Sequence, residues 1–163
     1  MSQSTSAEPE APSGTHHPLT PTPHHVHDDL TLLLHRTTPG LGPFLPASEG
    51  RWVRHVRHVC AARLHHRGLP PQLIDDVELL VTELTTNALQ HTRSDTVSVQ
   101  LLVSHHLIVI EVFDGSPSHA GTATAGPEDE NGRGMTIVAG CADAWGVSPD
   151  GTRTWCALFR AGR

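Results

Sequence analysis

The sequence lacks the features that membrane-spanning, secreted and disulfide-stabilised proteins need. Its longest apolar runs, such as residues 107–113, fall far short of the roughly 20 residues that cross a bilayer. The N-terminus has neither the basic nor the apolar region of a signal peptide. The three cysteines are widely separated and form no CxxC motif, which favours reduced thiols over a disulfide framework or a zinc site. We therefore expect a cytoplasmic protein with no membrane segment.

Aromatic rings and overall positive charge are also scarce. Aromatic residues make up 4% of the chain and the net charge is -6 at pH 7, whereas nucleic-acid-binding surfaces need basic side chains and stacking rings. We therefore expect no direct nucleic-acid partner. Positive charge is nevertheless concentrated in one segment, which has no acidic residue between its ends and contains Arg51, Arg54, Arg57, Arg63 and Arg67. We interpret this segment as a helix whose basic face docks an acidic protein partner.

Composition divides the 163 residues into a tail and one domain. Residues 1–28 are rich in proline and histidine and have little apolar periodicity, so they are predicted to be disordered. The paired histidines of this tail indicate adventitious metal affinity rather than a built site. Residues 29–47 are predicted to be an extended lead-in, in which residues 30–37 add an edge strand. Residues 48–161 are predicted to form the globular domain.

Hydrophobic periodicity predicts the elements of that domain. They are helices over 48–67 and 71–91, strands over 96–103 and 107–113, a flexible loop over 115–131, a helix over 132–144 and a closing hairpin over 145–159. Ser48 is the predicted N-cap of the first helix, and an aliphatic stripe from Leu73 to Ala88 is the predicted buried face of the second. This order predicts an α+β fold. Its architecture is a two-layer α/β sandwich, in which helices cover one face of a mixed, mostly antiparallel sheet.

Polar residues recur at four-residue spacing near the end of the second predicted helix. Glu83, Asn87 and His91 border its aliphatic stripe, and polar groups in such a place need partners from the protein or from a ligand. Farther along the chain come Asp114 at the end of a strand, a flexible loop, and a Gly-x-Gly sequence before another helix. Two carboxylates, an amide and a glycine-rich helix start suit a metal-bridged nucleotide.

Three segments carry a specific resemblance. In their order and spacing, ELTTNALQHT, VFDGSPS and NGRGMTIV resemble the N, G1 and G2 boxes of the GHKL (histidine kinase/Hsp90-like) ATPase superfamily, and within it the anti-sigma-factor serine/threonine kinase branch. The resemblance covers residues 48–160. It implies the sandwich fold of that superfamily, ATP and Mg²⁺ as ligands, and phosphorylation of an anti-sigma-factor antagonist protein. A sigma factor is the second implied partner, and relatives commonly form homodimers.

The resemblance also implies a role for each matching residue. Glu83 would orient or deprotonate the nucleophile, Asn87 would bind Mg²⁺, and Asp114 would accept the amino group of adenine. The other nucleotide-binding residues that it implies are Gly115, Gly132, Arg133, Gly134, Met135 and Thr152. Residues 115–131 would form a lid over the nucleotide. His91 is interpreted as a packing and capping residue at the helix end.

Departures from the family pattern leave two functions open. Ser116 and Ser118 stand where the G1 box has glycines, and Pro117 between them cannot donate an N–H group. Residues 115–131 contain no lysine, and the one basic residue at their exit is Arg133. ATP binding survives such changes better than turnover does. The intact Glu83 and Asn87 favour a protein serine/threonine kinase, whereas the altered G1 box and base-poor lid favour a catalytically silent nucleotide-binding module.

Overall fold

A computed structural model describes residues 26–36, 45–116 and 130–160, and of residues 130–133 only the backbone. Eight elements follow one another in these segments. They are β1 (Val26–His35), α1 (Ala47–His66), α2 (Pro71–His91), β2 (Thr96–Ser104), β3 (Leu107–Phe113), α3 (Glu130–Cys141), β4 (Ala144–Val147) and β5 (Arg153–Phe159). The predicted tail, apart from residues 26–28, and nearly all of the predicted lid lie outside the described residues.

The five strands form one sheet in the order β1-β2-β3-β5-β4. Every pairing between the described strands is antiparallel. Hairpins join β2 to β3 and β4 to β5, and β1 and β5 pair with the outer sides of the first hairpin. The predicted α+β class is therefore confirmed. All the described strand pairings are antiparallel, whereas we expected a mixed, mostly antiparallel sheet.

The main core lies between helices α1 and α2 and one face of the sheet. The aliphatic stripe of α2 is buried as predicted, and it consists of Leu73, Val77, Leu80, Val81, Leu84 and Ala88. Alternate residues of the strands, such as Leu101, Ile110 and Leu158, meet it from the sheet. Each such side chain stabilises the fold by about 1.5–3 kcal/mol when it leaves water. This packing fixes α2 across the sheet and so positions its polar edge.

The opposite face of the sheet carries a smaller apolar cluster. Trp155 is buried there, and its ring lies so close to Gly146 on the neighbouring strand that a Cβ atom would stand 2.9 Å from the ring. A shallow groove of about 220 Å³ on the same face is lined by Ser98, Gln100, Glu111, Phe113 and Arg153. Because consecutive strand residues point to opposite faces, Phe113 and Asp114 are directed to different sides. The groove is therefore separate from the predicted site.

Two predictions near the start of the domain were wrong. Ser48 lies inside the first turn of α1, and the capping position is Pro46, which makes no side-chain capping bond. Strand β1 begins at Val26, so that residues 26–28, assigned to the tail by composition, are extended and paired with β2. The reason is tertiary, because the buried Asp28 accepts hydrogen bonds from Arg63 and Arg67 of α1. Among the described residues, no helix combines the length and apolarity of a membrane span.

Candidate functional site

The second half of helix α2 packs against the start of helix α3, and this contact brings two of the predicted motifs together. Atom Oε2 of Glu83 lies 2.9 Å from the point where a Cβ atom on Gly134 would stand. Real Cβ atoms essentially never come that close to another heavy atom. The glycine therefore allows the backbone of α3 to approach the carboxylate directly.

Glu83 is half-buried at this contact. Removal from water raises the pKa of its carboxyl group above the ordinary value, because burial disfavours the charged form. Among the described residues, its side chain has no hydrogen-bond partner. A carboxylate with a raised pKa and free lone pairs has the properties of a general base.

Asn87 follows one helical turn after Glu83, and the two side chains share the same edge of α2. Its amide is half-exposed and has no hydrogen-bond partner in the described part of the chain. An amide oxygen is a ligand that Mg²⁺ accepts. Among the described residues, no three His, Cys, Asp or Glu side chains converge on a metal position. The described residues thus fit a Mg²⁺ ion that Asn87 would hold together with a bound phosphate group.

Asp114 follows the last residue of β3 and is buried. Burial raises the pKa of its carboxyl group, against a smaller lowering by the N–H group of Ser116 and by the charge of His91. Its atom Oδ1 accepts the Ser116 N–H bond at 3.0 Å, and its own N–H group donates to the carbonyl oxygen of Thr152 at 3.1 Å. The carboxylate is therefore held in a defined place on the helix side of the sheet.

The turn after Asp114 is fastened to the end of α2. Gly115 has φ 66, a left-handed conformation that favours glycine. The hydroxyl group of Thr92 donates to the Asp114 carbonyl oxygen at 2.8 Å and lies 2.9 Å from the hydroxyl group of Ser116. The Arg93 N–H group donates to the same Ser116 oxygen at 3.2 Å. Ser116, which departs from the family glycine, thus ties the turn to the helix.

Thr152 contacts Asp114 through its backbone, because its carbonyl oxygen accepts the Asp114 N–H group. Its hydroxyl group donates to Oδ1 of Asp150 at 2.8 Å, inside the turn between β4 and β5. Hydrogen bonds, that of the Ser148 hydroxyl group first, lower the pKa of Asp150 to about 2. The Thr152 hydroxyl group, which was predicted to contact adenine, is therefore directed into the turn.

Helix α3 begins earlier than its glycines predicted. It starts at Glu130 rather than Gly132, so the first turn, whose N–H groups have no partner within the helix, contains both Gly132 and Arg133. The Arg133 side chain lies outside the described residues. Met135 is half-buried and packs against the main core. Free N–H groups at a helix start can bind phosphate oxygens.

Sequence reasoning assigned the capping role at the end of α2 to the wrong residue and missed the roles of Thr92 and Arg36. His91, the predicted capping and packing residue, is exposed, and the C-cap of α2 is Thr92. Thr92 accepts the N–H group of Ser94 at 3.0 Å and is fully buried. The Arg36 side chain donates to the Thr92 carbonyl oxygen at 2.7 Å and pairs with Glu49. The only sequence signal was the position of Thr92 as the last residue of the N-box segment.

The family comparison agrees with this geometry. Fold and site define a two-layer α/β domain in which helices cover one face of an antiparallel sheet. Residues 45–158 match the model of a histidine kinase-like ATPase domain, which is well over half of the chain. The chain therefore belongs to the histidine kinase-like ATPase family, and the superfamily predicted from the three motifs is confirmed. No curated protein matches the chain.

Proposed function

We propose that this protein is a serine/threonine protein kinase of the anti-sigma-factor type, which phosphorylates an antagonist protein and sequesters a sigma factor. The observation that carries the proposal is the state of Glu83. It is half-buried, has no hydrogen-bond partner among the described residues and has a raised pKa, one turn from Asn87. Nucleotide binding alone does not require such a carboxylate, whereas proton transfer does.

The reaction would transfer the γ-phosphoryl group of ATP to a partner hydroxyl group. The serine or threonine oxygen attacks the γ-phosphorus atom as the bond to the β–γ bridging oxygen breaks, and ADP leaves. Glu83 accepts the proton of the attacking hydroxyl group. Asn87 would hold Mg²⁺, which would supply charge neutralisation when bound. The remaining contribution of the chain is positioning.

Nucleotide recognition in this proposal uses the end of β3 and the start of α3. The buried Asp114 carboxylate would accept a hydrogen bond from the adenine amino group at its atom Oδ2, because Oδ1 is engaged by Ser116. The backbone N–H groups of Gly132 and its neighbours in the first turn of α3 would bind phosphate oxygens. Arg133 adds positive charge at the same helix start.

The partner surface in this proposal is the exposed side of helix α1. Arg63 and Arg67 are paired with Asp28 and are not free for a partner. Arg54 and Arg57 are exposed and form no ion pair with any described residue. We propose that these two arginines bind an acidic surface of the antagonist protein. Partners of this kind place the protein in the cytoplasm, and the proposal includes the homodimer common among relatives.

A transfer assay tests the proposal. Labelled Mg-ATP is incubated with the protein and with antagonist candidates encoded alongside it. We expect label on one antagonist, and its loss in Glu83→Gln with nucleotide binding preserved. Glu78→Gln is the matched control, since it makes the same change on the same helix and is expected to keep transfer. A Glu83→Gln variant that transfers label normally would overturn the proposed role of this carboxylate.

A second function is favoured by the altered G1 box and by the base-poor lid. Residues 115–131 contain no lysine, and relatives use basic lid groups on the γ-phosphate. A nucleotide-binding interaction module without turnover is therefore the other candidate. Saturable binding of Mg-ATP by the wild-type protein, without label transfer to any antagonist, would support this module against the kinase.

A further inference from the structure

A buried ion pair joins the end of strand β1 to the first turn of helix α1. Arg36 donates from Nε and Nη2 to the two carboxylate oxygens of Glu49, each at 2.9 Å. The exposed fractions of the two side chains are 0% and 1%. Two parallel bonds between planar groups fix their relative orientation as well as their distance. Arg36 is therefore held rigidly inside the domain.

The same guanidinium group reaches the end of helix α2. Its Nη1 atom donates to the carbonyl oxygen of Thr92 at 2.7 Å. The Thr92 hydroxyl group in turn donates to the carbonyl oxygen of Asp114 at 2.8 Å. All four residues in this chain of contacts, Glu49, Arg36, Thr92 and Asp114, are buried. A polar connection thus runs from α1 through Thr92 to the main-chain carbonyl group of Asp114, the residue whose carboxylate is assigned to the proposed purine.

The turn at Asp114 depends on this connection. Beyond the bond from its N–H group to Thr152, the turn is held within the described residues by Thr92 and the neighbouring Arg93. Because the single hydrogen of the Thr92 hydroxyl is directed to Asp114, the Ser116 hydroxyl donates to Thr92 at 2.9 Å. Loss of the Thr92 hydroxyl would leave the Asp114 carbonyl oxygen, the Ser116 hydroxyl group and the Ser94 N–H group without this partner.

Stability alone does not explain the ion pair. Taking two charges out of water costs most of what their attraction returns, and apolar residues of similar size often stabilise a fold as well. Strand β1 and helix α1 are also joined by a second ion pair, between Asp28 and Arg63, in which the arginine is 42% exposed. Of these two pairs, only the Arg36 pair is bonded to the end of α2 among the described residues.

We infer that Arg36 and Thr92 are positioning residues of the nucleotide pocket. They hold the turn of residues 114–116 in the arrangement that receives the purine, and they make nucleotide affinity depend on the packing of β1 and α1. This inference rests on the nucleotide pocket of the proposed function. Neither residue touches nucleotide itself; both act through Asp114.

Substitutions at Thr92 test the inference with little change in shape. Thr92→Val removes the hydroxyl group, and Thr92→Ser retains it. We expect Thr92→Val to weaken Mg-ATP binding by about tenfold and Thr92→Ser to bind like the wild-type protein. Should Thr92→Val fold poorly, Ser116→Ala provides a second test. It removes only the hydrogen bonds that the Ser116 hydroxyl group makes with Thr92 and Arg93, and it is also expected to weaken Mg-ATP binding.

The two ion pairs provide matched double substitutions. Arg36→Met with Glu49→Leu removes the connected pair, and Arg63→Met with Asp28→Leu removes the unconnected pair together with the bond from Arg67 to Asp28. Calorimetric titration gives the Mg-ATP affinity, and urea unfolding gives the stability of each protein. We expect only the first double variant to lose about tenfold in affinity. Equal losses in both double variants, or wild-type affinity in Thr92→Val, would overturn the inference.

Hydrogen exchange separates this inference from the proposed function. The Ser116 N–H group donates to Oδ1 of Asp114, so its protection reports the turn without any nucleotide. We expect faster exchange at Ser116 in Thr92→Val than in Thr92→Ser, and unchanged protection overturns the inference. Absence of saturable Mg-ATP binding by the wild-type protein would instead overturn the proposed function.

Discussion

The Glu83 carboxylate and Gly134 are in direct contact, with 2.9 Å between Oε2 and the place where a Cβ atom on the glycine would stand. The two residues lie on different helices, α2 and α3, and in different sequence motifs. The atom that stands too close is the far end of a flexible side chain. An added methyl group would therefore move the carboxylate and leave the helices where they are.

Gly134→Ala is expected to impair phosphotransfer without unfolding the protein. Glycine within a helix costs about 0.5–1 kcal/mol relative to alanine, so the change adds helix stability while it displaces Glu83. A displacement of about 1 Å can cost on the order of 100-fold in rate. Transfer assays and thermal unfolding of the same preparation give both quantities.

Gly140→Ala is the matched control for this prediction. It makes the same change on the same helix, and a Cβ atom there meets nothing within 4 Å. We expect it to stabilise the protein and to leave transfer unchanged. Equal activity in Gly134→Ala and Gly140→Ala would contradict the proposed role of the contact.

Glu83→Gln is expected to be more stable than the wild-type protein at neutral pH. Burial raises the pKa of Glu83 above the ordinary 4.5, so the folded state binds this proton more tightly than the unfolded state does. The contribution of Glu83 therefore favours folding below pH 4.5 and is lost as the pH rises through the raised pKa. The advantage of the glutamine should accordingly be absent in acid and complete at neutral pH.

Urea unfolding at pH 3 and at pH 7 measures that difference. Wild type and Glu83→Gln should coincide at the lower pH, where the carboxyl group is neutral in both folded and unfolded chains. A stability difference of the same size at both pH values would show that the substitution acts through packing and that burial of the charge is not its cause.

Reversal of charge on helix α1 is expected to weaken partner binding. Arg54→Glu with Arg57→Glu places acidic groups against the acidic surface proposed for the antagonist, and we expect a loss of about tenfold or more that shrinks at high salt. Arg54→Lys with Arg57→Lys keeps the charge and serves as the control. Biosensor titrations at two salt concentrations give the answer, and unchanged affinity of the reversed variant would reject this docking surface.

Local patterns were sufficient for most of the fold. The bounds of α2 follow from proline in the first turn and from its aliphatic periodicity, and they match the structure at Pro71 and His91. The alternating strands β2 and β3 were equally readable. Ser48 failed as a cap because the helix begins one residue earlier and its first turn buries Glu49 against Arg36. No local pattern encodes that pairing.

The sequence predicted the parts of the site that motif residues form. It did not predict the parts that depend on tertiary contacts. Spacing placed Glu83 and Asn87 on one edge of α2. The supporting bonds of Arg36 and Thr92 join segments that are 56 residues apart in sequence. Ser116 looked like a defect in the G1 motif, and only the structure supplies its bonds to Thr92 and Arg93.

Calorimetric titration of the wild-type protein and of Asn87→Ala, each with ATP in the presence and absence of Mg²⁺, tests the central claim most directly. We expect saturable binding of Mg-ATP by the wild-type protein and a loss of about tenfold or more in Asn87→Ala, confined to the titrations that contain Mg²⁺. Thr86→Ala, on the same helix, is expected to bind like the wild-type protein. A wild-type protein that binds no Mg-ATP, or an Asn87→Ala variant with undiminished Mg²⁺-dependent affinity, would contradict a magnesium nucleotide pocket at this edge of α2.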